Sequence, residues 1–184
     1  MKITFRDRPV IFVDLEASGL KRDSYPIEVG WSADDEQAPS SFLIRPPSGW
    51  PFADFSPAAF AVHGIAYERL ISHGVETHAA CRRLASAWTG AILVSDCPAM
   101  DEKWLRRLYA AAGQPYPWRL MDFHVLDAAL AMTLGDGFES LAAIAIAAER
   151  KWPVPHRAGP DAARLNKIAR AIVDPNFRAT LHIA

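Results

Sequence analysis

The residues able to do chemistry fall in three separated places. The first is IFVDLEASGL, residues 11–20, where an apolar run ends in Asp14 and Glu16. Successive side chains of a β-strand point to opposite faces, so these carboxylates share one face while Val13 and Leu15 take the other. Two neighbouring carboxylates leaving a hydrophobic strand repel each other and resist losing water, and something must neutralise them. The second place is LVSDCPAMDEKWL, residues 93–105, where Asp101 opens a helix whose Trp104 and Leu105 face the core. The third is PHRAGPDAARL, residues 155–165. There His156 sits in a loop and Asp161 begins a helix just after Pro160, and a loop histidine can fold back over a helix's first turn. Four acids and one imidazole, at the ends of one strand and two helices, could hold two oxygen-ligated divalent ions about 4 Å apart and deprotonate a water.

Taken singly, each fragment has a plainer account. A carboxylate in a helix's first turn complements the helix dipole or caps the end. A lone histidine is commonly a surface or core residue. Asp122 and His124 read as a helix cap, and the apolar alternation in ESLAAIAIAAER reads as core packing.

The elements that must position these groups follow from hydrophobic period and turn residues. Residues 10–16 read as a central strand. Residues 26–34 and 40–45 read as an antiparallel pair divided by the turn-like DDEQAP. A proline-rich loop and a short helix near 57–62 follow, with proline at an early position. Next come a helix at 76–89, a short buried strand at 91–95 and an amphipathic helix at 101–112. A strand near 119–123 and helices near 125–133, 139–150 and 161–172 complete the chain. Strands first, then helix and strand in alternation, give an α/β sheet of mixed strand direction.

Composition narrows the setting. The 184 residues suit a single domain, residues 1–184, with a substantial core. Half the residues are apolar (51%) and the formal net charge is −1, so a protein that grips long nucleic acid non-specifically is disfavoured. No apolar run reaches the ~18 residues of a membrane span. The start, MKITFRDRPV, carries charges where a signal peptide has its apolar core. Cys81 and Cys97 form no disulfide framework, and a reducing cytoplasm is the expected location.

The three fragments together resemble the DEDDh 3′→5′ exonucleases. DLEASGL is similar to that family's first motif, SDCPAMDEKWL to its second and PHRAGPDAARL to its third, a His-x4-Asp followed by alanine. Order and separation agree over nearly the whole chain, and the tripeptide HGI at residues 63–65 falls where the family often carries it. The family includes polymerase proofreading subunits, ribonuclease T and oligoribonuclease. The resemblance implies a ribonuclease H-like fold, here a mixed five-stranded sheet flanked by helices. It implies that Asp14, Glu16, Asp101 and Asp161 bind two Mg²⁺ or Mn²⁺ ions and that His156 is the general base. It also implies that Ser18, Leu20, His63, Gly64 and Ile65 hold the terminal nucleotide of a single-stranded DNA or RNA 3′ end.

Two departures stand out. Ser95-Asp96 replaces the family's usual polar pair, which makes Asp96 a rival to Asp101, and Met100 replaces the customary phenylalanine. Glu28 matches a common family glutamate and is expected to hydrogen-bond structurally. Competing readings are a non-catalytic nucleic-acid or protein-binding module and a metal-dependent nucleotide phosphohydrolase. DNA or RNA preference, homodimerisation and association with a polymerase are left open by the sequence.

Overall fold

A two-residue strand β1 (Thr4–Phe5) turns through Arg6 and Asp7, at φ 50° and 60°, into β2 (Arg8–Ala17) in this computed structural model, which describes residues 1–34, 36–134 and 137–181. Strand β3 (Pro26–Ser32) runs antiparallel to β2, and β4 (Ser40–Leu43) antiparallel to β3. Helices α1 (Pro57–His63), α2 (Tyr67–His73) and α3 (Thr77–Trp88) lead to β5 (Ile92–Ser95), which lies parallel to β2. Helix α4 (Pro98–Ala111) leads to β6 (Leu120–Asp122), parallel to β5. Helices α5 (Phe123–Leu134), α6 (Gly137–Lys151), α7 (Ala158–Val173) and α8 (Pro175–Ala179) follow. The sheet order is β4-β3-β2-β5-β6, with β1 attached to β2. Among the described residues no helix is long and apolar enough to cross a membrane.

The period-two pattern of β2 divides the core. Ile11, Val13, Leu15 and Ala17 join Ile27, Val29 and Leu93 against Leu84 and Trp88 of α3 and Leu105 and Leu108 of α4. Val10 and Phe12 face the other way, with Val94, onto Leu126 of α5, Ile144 of α6 and Leu165 and Ile168 of α7. Burying each such aliphatic or aromatic side chain contributes about 1.5–3 kcal/mol, so both faces of the sheet are firmly covered. Asp14 and Glu16 continue the Val10–Phe12 row. The strand face that meets α7 therefore begins apolar and ends acidic.

Helix α7 sits unusually low on that face. Gly30 of β3 pairs with Asp14, and a Cβ added to it would lie 2.1 Å from the Gly159 nitrogen and 2.2 Å from the Ala158 carbonyl carbon. The first turn of α7 thus rests on the main chain of β3, with no side chain between. Two turns on, Asn166 Nδ2 donates to Ser32 Oγ at 2.9 Å.

The five expected strands all occur, in mixed directions. Two helix starts differ from expectation. Helix α4 begins at Pro98, which places Asp101 inside its first turn. Helix α7 begins at Ala158, with Pro160 in the first turn, where a missing N–H costs no helical bond. Of the turn expected at residues 34–39, residue 35 lies outside the described set.

Candidate metal centre

The carboxyl ends of the parallel strands β2, β5 and β6 converge, the usual place for a ligand in such a sheet. Asp14 and Glu16 reach it from β2. At the end of β5 Ser95 is fully buried; just past it Asp96 is exposed, and Asp101 descends from α4 with only 2% of its surface exposed. The Ser95 hydroxyl donates to Asp101 Oδ2 and accepts the Cys97 N–H at 3.0 Å, which ties the strand end to the helix start. Asp161 comes from α7; its Oδ2 accepts the Arg157 N–H at 2.9 Å, while its Oδ1 is buried with no hydrogen-bond partner.

These acids form two triads that share Asp14. Oxygens of Asp14, Glu16 and Asp161 lie within 4.8 Å of one another, and so do those of Asp14, Asp96 and Asp101. The sequence set Asp96 against Asp101; the structure brings both to Asp14. His156 stands at the same opening. Its backbone is left-handed, at φ 53°, a conformation that costs a non-glycine residue on the order of 1 kcal/mol or more and persists only where its surroundings impose it. Asp14, Glu16, Asp96, His156, Asp161 and Arg164 line one cleft of about 280 Å³.

The imposing element is Glu28. This carboxylate is 2% exposed and lies opposite Glu16 on β3. It accepts from Arg157 Nε at 2.9 Å, Arg157 Nη2 at 2.8 Å, the Ala158 N–H at 3.1 Å and Ser41 Oγ at 3.3 Å. The forked ion pair pins the residue between His156 and α7, and the bond to Ala158 caps the helix from across the sheet. Sequence reading expected a structural hydrogen bond at Glu28 but found neither Arg157 nor the clamp. The partners are 129 residues apart, and no local spacing announces such a pair.

Burial first, and mutual repulsion second, raise the pKa values of the acids. Burial, then Asp101, Glu16, Asp96 and Asp161, holds the Asp14 carboxyl well above its ordinary range. Burial, then Asp161 and Glu28, raises Glu16 to about 7 against the opposing pull of Arg157. Burial lifts Asp101 to about 8, with Asp96 and Glu16 adding and the Ser95 hydrogen bond resisting. Asp161 is raised chiefly by burial. A set of oxygen donors crowded beyond mutual tolerance, one of them an unpaired buried Asp161 oxygen, fits a hard divalent cation such as Mg²⁺ or Mn²⁺.

A second, more apolar cleft of about 540 Å³ adjoins the first through Leu15 and Glu16, and is walled by Leu20, Ser56, Val62, His63 and Trp104. Leu20 stands at its rim, 78% exposed. His63 is buried; its Nδ1 accepts the Ile65 N–H at 3.0 Å, so the neutral ring carries its proton on Nε2, which has no partner. Burial, then the charge of Arg157, pushes His63 below its usual pKa. Gly64, at φ 66°, ends α1 and Ile65 is buried, so these two shape the turn that orients His63. Ser18 lies behind the cleft wall. It is wholly buried, and its hydroxyl accepts the Tyr25 N–H at 3.0 Å.

No protein-family model matches the chain, and no curated protein matches it. Among solved structures, the zinc-bound form of the E. coli exonuclease I–single-stranded DNA complex aligns at TM-score 0.64 and 17% identity, over 94% of this chain and 41% of that one. An apo exonuclease I aligns at TM-score 0.62 and 16% identity, over 94% of this chain and 44% of that one. E. coli exonuclease I bound to an oligonucleotide aligns at TM-score 0.59 and 15% identity, over 94% and 42%. The chain therefore spans about two fifths of the length of those proteins. The likeness is one of fold: a mixed ribonuclease H-like sheet flanked by helices.

Proposed function

We propose that this protein is a metal-dependent 3′→5′ exonuclease that releases nucleoside 5′-monophosphates from single-stranded nucleic acid. The observation that carries the reading is the pair of acid triads sharing Asp14, with His156 at the same opening. Asp14, Glu16 and Asp161 would hold one Mg²⁺ or Mn²⁺, and Asp14 and Asp101, with Asp96 beside them, would hold the other. When bound, two such ions would supply a nucleophile from water at neutral pH and offset charge on the phosphate and the departing 3′ oxygen. His156 takes the proton of the attacking water, the role for which an imidazole on a solvent-accessible loop is suited. Ser95 keeps Asp101 aimed into the centre, and the Glu28–Arg157 clamp keeps His156 and Asp161 over it. The terminal nucleoside enters the apolar cleft, its base or sugar against Leu20 and the neighbouring wall, with His63 Nε2–H as a buried donor. Ser18 contributes by bracing the strand end. The chain has few cations to spare for phosphates, so binding rests on the terminal nucleotides and depends only weakly on salt.

The test is a time course on matched single-stranded DNA and RNA oligomers, each labelled at either end, in Mg²⁺ or Mn²⁺. A 5′ label should yield a descending ladder and a 3′ label a mononucleotide at once, while circular single strands survive. Cutting of circles, or undiminished hydrolysis in excess chelator, would overturn the proposal.

A further inference from the structure

Arg164 stands at the acid cleft beside Asp161. It lies three residues after Asp161 on α7 and so shares its face of the helix. Its Nε donates to the Trp152 carbonyl at 2.9 Å, which fixes the plane of the guanidinium. No other hydrogen bond or ion pair engages it among the described residues, so both terminal amino groups keep their donors. Among the described residues it is the only lysine or arginine that lines the acid cleft. It also lines a third cleft, of about 280 Å³, together with Asp96, Phe123, His124 and Leu165.

The three clefts lie in series. The apolar one joins the acid one at Leu15 and Glu16, and the acid one joins the third at Asp96, Arg164 and Leu165. With the terminal nucleoside in the first and the scissile phosphate over the acids, the rest of the strand must leave across the third. Beside apolar side chains and His124, the carboxylates Asp96, Asp127 and Glu149 line that exit. A strand could not cross them unaided, and a preoriented guanidinium fork matches a phosphate.

We propose that Arg164 grips the first phosphate on the 5′ side of the scissile linkage and so directs the strand out across the cleft that α5, α6 and α7 line. This rests on the exonuclease reading above. The rival role is a mere counter-ion for Asp161, whose carboxyl Arg164 helps to hold down.

The experiment compares wild type, Arg164→Ala and Arg164→Lys on two single-stranded oligonucleotides. One is natural; the other carries a neutral methylphosphonate at the linkage next to the scissile one. On the natural strand Arg164→Ala should lower kcat/KM about 10-fold or more, mainly through KM, the signature of a lost charge-assisted contact made equally in ground and transition states. On the modified strand wild type and Arg164→Ala should be alike. Arg164→Lys, which keeps the charge but loses the fork and the Trp152 bond, should fall between and guards against a folding defect in the alanine variant. Calorimetric Mn²⁺ affinity should be little changed in either variant. Equal losses on the two strands, or a gain in Mn²⁺ affinity with no effect on KM, would make Arg164 a counter-ion and overturn the inference while the exonuclease reading stood. A wild type that leaves both strands intact would overturn both.

Discussion

Replacing Glu28 by glutamine tests the proposed machinery without touching a metal ligand. Glutamine keeps the shape of the side chain but exchanges one acceptor oxygen for an amide NH₂. Glu28 accepts two bonds on each oxygen: Arg157 Nη2 and Ser41 on Oε1, Arg157 Nε and Ala158 N–H on Oε2. With the amide nitrogen at the Oε2 position two N–H donors face a donor; at the Oε1 position Arg157 Nη2 does, while the Ser41 hydroxyl can turn to accept. Removing one partner of a buried ion pair costs about 3–5 kcal/mol. The Arg157 side chain is 36% exposed, so water recovers part of its charge. A loss of about 2–3 kcal/mol is expected after that discount. For a chain of this size that corresponds to a fall in Tm of roughly 5–10 °C. Turnover should suffer more than stability, about 10²-fold at a temperature where the variant is folded, because the base leaves its position. His156 loses the anchor that imposes its left-handed backbone, and Asp161 loses a fixed Arg157 N–H. Thermal melts and oligonucleotide hydrolysis read the two effects separately. A double variant, Glu28→Gln with Arg157→Gln, should regain part of the stability, since no charge is left unpaired, but none of the activity. If Glu28→Gln melts and cleaves like the wild type, the clamp does not position the site.

Other expectations follow from the same crowding of charge. Asp14→Asn relieves the most hemmed-in carboxylate, so it should raise the Tm of the metal-free protein while cutting hydrolysis by several orders of magnitude; a lower Tm would count against repulsion at this centre. Asp101→Asn should eliminate turnover, whereas Asp96→Asn, at an exposed position, should retain a measurable fraction with weakened Mn²⁺ binding; the reverse pattern would exchange their roles. In chelator, Glu16 at about 7 and Asp101 at about 8 bind protons that the unfolded chain has already released above about pH 4. Stability should therefore fall as pH rises from about 4 to about 8, and Mn²⁺ should raise the Tm more at the alkaline end, because its ligands must shed protons to bind. Melts in chelator that climb with pH over this window would show that these carboxyls are not destabilised by burial.

The parts of the molecule legible in the sequence are those governed by short-range pattern. The alternation along IFVDLEA gives both the strand and the face on which Asp14 and Glu16 emerge, and the proline and turn residues bracket β3, β4 and β5. Where neighbours in space are distant in sequence, pattern gives no purchase. Glu28 stands out as a structural hydrogen-bonder but nothing in the sequence names Arg157 as its partner, and Arg164 reads as one more polar residue on an amphipathic helix. The hairpin at Arg6–Asp7 places two non-glycine residues at positive φ without the Asn-Gly or Asp-Gly signal of such turns. Helix α2 leaves no clear signal in the sequence, because its seven residues are too short for a clear period. Ser18 shows the other limit. Its residue type suits a ligand contact, but only the register shift between Glu16 and Ala17 and the bond from Tyr25 decide that its hydroxyl turns inward.

The contact of Gly30 with the first turn of α7 has a consequence for tolerance to change. Asp14 projects from the strand paired with Gly30, and Asp161 from the helix that rests on it, so the gap between these two carboxylates is gauged by main chain against main chain. Side chains in either apolar layer can exchange volume, and the sheet can settle by a fraction of an ångström, without that gap inheriting the adjustment. The same arrangement leaves no slack at the gauge itself. Even the methyl of an alanine at position 30 would act as a shim, lifting α7 and opening the triad that Asp161 makes with Asp14 and Glu16.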